Sequence, residues 1–339
     1  MPDVPPFDQL TQRGQRQRLR ALALEALARY GVEVQRCSFL TQSYNTLFRV
    51  DATDGSRYAL RVSPAEIIQA EGIEGIEAAW LRTLRQDTDL SVARVNEAAD
   101  GSVMVKATVP EVPGQRRCTL FDWVPGRPMN ERISRDLVLK AGRLSASVHE
   151  HGAAHAPPTP PPVLVADRAI YWKLEPMLDT LTPEYGNLFT EALDRVDRVI
   201  AGIWQHPPHP PHLLHGDVTP NNLMTDRGIV TLIDFQDTIW GFEVQDVAIT
   251  IASLRIFEDA DGLANAFRTG YEQVRRWPCE DPTALEALVV ARRLDMLNYA
   301  LYLRRSDLDT HVPAVAALVA GWMRLSPPVS VARTGLRRH

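Results

Sequence analysis

Two carboxylates and an amide stand out in the run Leu213-Leu-His-Gly-Asp-Val-Thr-Pro-Asn-Asn-Leu-Met and in the run Ile229-Val-Thr-Leu-Ile-Asp-Phe that follows it. The first run begins apolar, turns through Gly216, and presents Asp217 and Asn222 from one tight loop. The second is an apolar strand that ends in Asp234. Hard oxygen donors of this kind suit magnesium, which one or two carboxylates hold together with substrate phosphates. Phosphoryl transfer asks for such a set: one acid orients and deprotonates the attacking hydroxyl, while metal ligands clamp the triphosphate.

The spacing His215-x-Asp217-x-x-x-x-Asn222 resembles the catalytic loop of kinases, and Ile233-Asp234-Phe235 sits where their second metal-binding acid sits. The His-Gly-Asp opening, with Pro220 and Asn222 after it, is similar to the aminoglycoside phosphotransferase and choline-kinase branch. The resemblance implies an α+β, protein-kinase-like fold with two lobes, ATP and Mg2+ as cofactors, and a small-molecule hydroxyl as phosphate acceptor. It assigns Asp217 as catalytic base, Asn222 and Asp234 as magnesium ligands, and Asp246 as the acid that braces the catalytic loop. In the first lobe it places Arg61 against the ATP phosphates, held by Glu77, with Ala59 on the same strand face packing adenine. Ser43, Tyr44 and Asn45 fill the turn over the phosphates, and Asp122 and Val124 fall in the adenine-binding hinge. Gly142, Leu144 and His149 resemble the helix after the hinge. Two departures are plain. The strand cation is usually lysine, and arginine is planar, forked and permanently charged. The phosphate turn also lacks a glycine-rich signature.

The elements that must carry these residues are legible from periodicity. Residues 14–30 place Leu19, Leu22, Ala23, Ala26 and Tyr30 at helical spacing, and Gly31 stops the helix. Strands are expected over 34–40, 46–52 and 57–62, the last two joined at Asp54-Gly55, a dipeptide that tolerates positive φ. Alternation puts Tyr58, Leu60 and Val62 on one face, and Ala59 and Arg61 on the other. Pro64 ends that strand, and 66–85 reads as a helix with Ile73, Ile76, Trp80 and Leu84 on one side. Short strands are expected over 93–97, 103–107 and 118–123. Val124-Pro125-Gly126 breaks the chain, giving an N-lobe over 1–124 and a mainly helical C-lobe over 125–339. The proline-rich segments 156–162 and 207–211 read as surface loops.

The whole-chain properties fit. With 339 residues, 45% of them hydrophobic, the chain has material for a sizeable core. A net charge of −5 and the absence of a basic stripe argue against nucleic-acid binding. Arg333, Arg337 and Arg338 read as a solvated tail. Cys37, Cys118 and Cys279 are isolated, so reduced thiols in the cytoplasm are expected. No signal peptide opens the chain, and the uncharged stretch 312–323 is too short to span a bilayer; it reads as a buried helix. His206, His209, His212 and His215 recur every three residues, the period of a polyproline helix, but read as a solvated loop entering the catalytic strand. Tyr171, Trp172, Trp240 and Phe242 are candidates for a substrate pocket or for core. A protein kinase would need a longer activation segment than 235–246, and the intact Asp217, Asn222 and Asp234 argue against an inactive nucleotide binder. The expected reaction is γ-phosphoryl transfer to a hydroxy-amino acid or amino alcohol of the homoserine or hydroxylysine type, with an aminoglycoside as the alternative acceptor.

Overall fold

The computed structural model describes residues 5–174 and 177–325, so the C-terminal arginines lie outside the described residues. Helix α1 (Gln12–Arg29) is capped by Thr11, whose hydroxyl accepts from the Gly14 N–H at 3.3 Å. Its Leu19, Leu22, Ala23, Ala26 and Leu27 are buried, the i, i+3, i+4, i+7, i+8 stripe of a helix with one apolar face. That face covers an antiparallel sheet of β1 (Val34–Gln42), β2 (Thr46–Ala52), β3 (Arg57–Val62), β4 (Val105–Val109) and β5 (Val112–Asp122), in the order β1-β2-β3-β5-β4. Phe48, Val50, Leu60 and Leu120 meet α1 in this small core, each fully buried side chain stabilising by about 1.5–3 kcal/mol. Gly55 takes φ +86° at the β2–β3 turn, the conformation for which Asp-Gly is suited.

Helix α2 (Ile73–Asp87) lies on the opposite side of β3. It is shorter than the periodicity suggests: Gly72 takes φ +81° and starts the helix, so 66–71 is loop. The expected strand at 93–97 is reduced to isolated bridges, Val92 to Leu232 and Val95 to Phe121. These bridges lead the chain across to the other half of the molecule.

The remainder is mostly helical. After the two-residue strand β6 (Arg127–Pro128) come α3 (Arg135–Ala154), the short β7 (Leu164–Val165) and α4 (Pro183–Gln205). Strands β8 (His212–Leu214), β9 (Leu223–Asp226), β10 (Ile229–Leu232) and β11 (Ile239–Gly241) follow. Helices α5 (Glu243–Leu254), α6 (Ala260–Glu272), α7 (Pro282–Tyr302) and α8 (Leu308–Leu325) complete the order. The strands form two small sheets, β10-β9-β6 and β7-β11-β8, which the sequence reading did not anticipate. Apart from the apolar runs that enter the catalytic loop and end in Asp234, strands of two to four residues carry too little alternation to register as a pattern. Helix α8 is amphipathic rather than wholly buried: Val312, Val315, Ala316 and Val319 face the core, while Leu318 and Leu325 face solvent. No described helix is long and apolar enough to cross a membrane. Helices α3 and α6 approach closely at Gly142 and Gly270, where an added Cβ would collide with the carbonyl oxygens of Phe267 and Leu139.

Candidate active site

The loop after β8 is built on a buried carboxylate. Asp246, in the first turn of α5, accepts from the N–H groups of His215 (3.1 Å) and Gly216 (3.0 Å). Its Oδ2 also meets His149 Nε2 of α3 at 3.1 Å, and the other nitrogen of that ring meets the Tyr271 hydroxyl of α6 at 2.8 Å. Burial alone would raise the Asp246 carboxyl, but these bonds, led by the one from His149, hold it below its ordinary value. Gly216 is required here: its φ is +81°, and a Cβ would run into the Asp237 carbonyl oxygen. His215, fully buried, joins the two chemical runs: its Nε2–H donates to the Ile233 carbonyl and its Nδ1 accepts from the Asp217 N–H, each at 3.1 Å.

Asp217 and Asn222 are thereby brought into contact. Asn222 Nδ2 donates to Asp217 Oδ2 at 2.7 Å and to the Asp217 carbonyl at 3.0 Å. Its Oδ1 is left as a hard donor for a cation. Burial raises the Asp217 carboxyl, and Arg292 and His215 oppose that rise. Asp234 follows β10 in the left-handed region, φ 63° and ψ 65°, an uncommon conformation that sites of function tend to hold. Its half-exposed carboxylate sits 3.3 Å from Arg61 Nη1. Arg61 is itself buried and forked onto Glu77 of α2, at 3.0 and 2.5 Å. Burial works against both charges; Glu77 more than offsets this for Arg61, whereas burial prevails at Glu77 and raises its carboxyl.

The other first-lobe candidates have varied positions. Ala59 pairs with Phe121 across β3 and β5, and the Arg61 guanidinium lies 5.1 Å from the centre of the Phe121 ring, so the three share one face. Tyr44 directs its hydroxyl to the backbone of the loop before α2, donating to the Glu66 carbonyl at 2.6 Å and accepting from the Ile68 N–H at 3.1 Å. Asn45 Nδ2 donates to Gln236 at 3.0 Å, tying the β1–β2 turn to the segment after Asp234, while Ser43 N–H closes the turn on the Asn45 carbonyl. The Asp122 N–H is already used by the Arg94 carbonyl at 2.9 Å, which leaves the Asp122 carbonyl for a ligand; Val124 follows where the chain leaves the sheet.

Three site residues escaped the sequence reading: Arg292, Asp295 and Asp237. Arg292 of α7 ion-pairs with Asp217 and lies 3.4 Å from Asp295, one turn further along the helix. Burial raises the Asp295 carboxyl to about 7, with Arg292 opposing. Asp237, which accepts from Gln69 Nε2 at 3.1 Å, is likewise raised to about 7 by burial and by Asp217 and Asp234. A cavity of about 30 Å³, enough for a water-sized group, is lined by Tyr171, Ile239, Arg292 and Asp295. The signal was present but faint: an Arg and an Asp three apart in the apolar run of α7. Of the four aromatic candidates, Trp172 faces this region, 5.9 Å from the Arg292 guanidinium and edge-on to Tyr299, and Tyr171 lines the cavity. Trp240 and Phe242 are core.

The arrangement offers a carboxylate and an amide oxygen in contact, and a second carboxylate beside a guanidinium, groups of the kind that suit a magnesium triphosphate. The phosphotransferase enzyme family matches over residues 37–288, most of the chain and both halves of this arrangement. The chain belongs to that family. This phosphotransferase is 24% identical over 315 residues to the amicoumacin kinase of Bacillus subtilis (strain 168), covering 88% of this chain and 89% of that protein. Its fold matches a structure of an amicoumacin kinase in complex with AMP-PNP, Ca2+ and Ami (TM-score 0.71, 17% identity, 94% of this chain and 97% of that one). It also matches a microcompartment-associated aminopropanol kinase (TM-score 0.71, 24% identity, 89% and 95%). An aminoglycoside phosphotransferase, APH(4)-Ia, is more distant (TM-score 0.58, 16% identity, 89% and 98%). The expected α+β kinase-like fold is therefore present, and the phosphotransferase is a kinase of small-molecule hydroxyl groups that uses ATP and a divalent cation.

Proposed function

We propose that this phosphotransferase moves the γ-phosphate of Mg-ATP to the hydroxyl of a small hydroxy-amino acid, with an amino alcohol as the neighbouring class. The observation that carries the reading is the Asp217–Arg292–Asp295 chain of ion pairs, with Asp237 close by. Asp217 orients the acceptor hydroxyl and takes its proton; Asn222 Oδ1 and Asp234 hold the magnesium that binds the phosphates. Arg61, fixed by Glu77, bonds phosphate oxygens through its fork. Residues 1–124 form the nucleotide-binding lobe, with Ser43, Tyr44 and Asn45 over the phosphates, Ala59 against adenine, and the Asp122 carbonyl and Val124 N–H on its edge. Residues 125–339 supply the catalytic loop and the acceptor pocket.

The pocket chemistry supports a zwitterionic acceptor. Asp237 and Asp295 suit an ammonium, and the faces of Tyr171, Trp172 and Tyr299 add cation–π attraction. Arg292 suits a carboxylate, which an amino alcohol lacks. The dependence on ATP and the three unbridged thiols support a cytoplasmic location. The test is ATP consumption across hydroxy-amino acids, amino alcohols, sugars and aminoglycosides, with Asp217→Asn as the control. Turnover should be highest with a hydroxy-amino acid and absent from the control. Turnover confined to sugars or to large aminoglycosides would overturn the acceptor assignment.

A further inference from the structure

Away from the phosphate cleft, three side chains converge where the second proline-rich loop meets α5. His209 Nε2 lies 2.7 Å from Glu243 Oε2, and His212 Nε2 lies 3.5 Å from Glu243 Oε1. The three candidate ligand atoms all fall within 4.8 Å of one another. His212 and Glu243 are 1% and 2% exposed, yet neither ring nitrogen of His212 makes a hydrogen bond. Buried polar atoms without partners are rare, and each calls for an explanation. His209 and His212 are three residues apart, the period of a polyproline helix, and their rings lie 5.6 Å apart.

We propose that His209, His212 and Glu243 form a binding site for one zinc-class divalent ion, separate from the magnesium site of the catalytic centre. Two imidazoles and one carboxylate are an established zinc donor set, with a fourth position left to water. Half-exposed His209 provides the access route. Tetrahedral ligands at about 2.0 Å from zinc stand about 3.3 Å apart; His212 Nε2 is near that distance from Glu243 Oε1, and His209 Nε2 must draw back by about half an ångström from Glu243 Oε2. The groups behind the ligands also fit. His209 Nδ1–H donates to the Pro210 carbonyl at 2.9 Å, which leaves Nε2 as the ring nitrogen free to bind an ion in place of its contact with Glu243, and Arg275 Nη2 donates to Glu243 Oε1 at 2.7 Å.

The other triplet of this kind among the described residues, Asp87, His151 and His155, shows what disqualifies a cluster. The indole N–H of Trp80 donates to His151 Nδ1 at 3.2 Å, so the single ring proton sits on Nε2 and points at Asp87. No lone pair is left there for an ion. At His212 both nitrogens remain uncommitted.

The consequence is structural. Glu243 opens the helix whose Asp246 holds the catalytic loop, and His212 begins the strand that leads into that loop. An ion here staples the two together. The test uses the full chain without a histidine tag, stripped of metal and titrated with Co2+ and Zn2+ in Mg2+ buffer. Expected are the visible absorption of four-coordinate cobalt at one ion per chain and a rise in Tm with Zn2+. His209→Ala, at a half-exposed loop position outside the core, should weaken cobalt binding by roughly 100-fold or more, and Arg275→Gln by about 10- to 100-fold. Asp234→Ala should leave it unchanged. Absence of the cobalt spectrum, binding unaffected by His209→Ala, or binding lost in Asp234→Ala would each overturn the site.

Discussion

Asp217 sits between a buried cation and a neutral amide, and that placement sets what its replacements do. Asn at 217 keeps the size and the contact with Asn222 but cannot accept a proton. Asp217→Asn should therefore lower kcat by roughly 10²- to 10⁴-fold while Mg-ATP binding stays near wild type, read by steady-state kinetics beside calorimetric titration. Arg61 behaves differently because its partner is buried. Arg61→Ala leaves Glu77 without a counter-charge, which costs about 3–5 kcal/mol of stability in addition to nucleotide use. The Arg61→Ala, Glu77→Ala double variant should lose less than the sum of the two singles in chemical denaturation; strict additivity would mean that the pair is not coupled. Asp237 offers a pH test. Its value in the folded chain is about 7, above the ordinary carboxylate range near 3.9. Between about pH 4 and pH 7 the folded state keeps a proton that the unfolded chain has lost, so stability falls as pH rises through that window. Asp237→Asn removes this loss, and its Tm should gain on wild type from pH 4 to pH 7. A Tm difference that does not change with pH would show that Asp237 does not titrate there. At this scale the sequence was informative where chemistry is local: Asp217, Asn222 and Asp234 lie within 18 positions. Arg292 reaches Asp217 from α7, with Asp295 behind it, and helical periodicity marks a face as buried without saying against what.

Among the elements, α3 and α6 are the most tightly juxtaposed, and together they position His149 and Tyr271 behind Asp246. Gly270→Ala should push the helices apart and destabilise by about 1–3 kcal/mol or more, the range of overpacking. Gly202→Ala in α4 is the matched control: a Cβ there meets nothing within 4 Å, so the gain in helix propensity should stabilise by about 0.5–1 kcal/mol. Equal effects in urea melts would remove the close approach as the cause. The same contrast explains which elements could be read in advance. Strands β2 and β3 alternate and meet at a turn dipeptide, so 46–52 and 57–62 were legible to the residue. Helix α2 began seven residues late because apolar spacing continued through a loop that Gly72 ends. The small sheets around the catalytic loop are held by pairings between distant segments, such as β7 with β11, which no local pattern encodes.

Across the whole molecule, bonds link the five-stranded sheet and its loops to the helical part around the cleft: Arg61 to Asp234, Asn45 to Gln236, Gln69 to Asp237 and Tyr302 to Glu66. A ligand that bridges the same gap should stabilise both halves together. Mg-ATP at 100 times its dissociation constant should add about 2.7 kcal/mol, a Tm rise of several degrees, and chelating the metal should remove most of it. An unchanged Tm after chelation would mean that the nucleotide is held without Asn222 and Asp234. The brace at Asp246 has one more consequence, in time rather than energy. The amide protons of His215 and Gly216 are held by a fully buried carboxylate instead of a neighbouring strand. Fraying of β8 does not release them, because the acceptor belongs to α5. In deuterated water these two protons should persist as long as those of the helical core, so the loop that carries the reaction would be among the last parts of the chain to exchange.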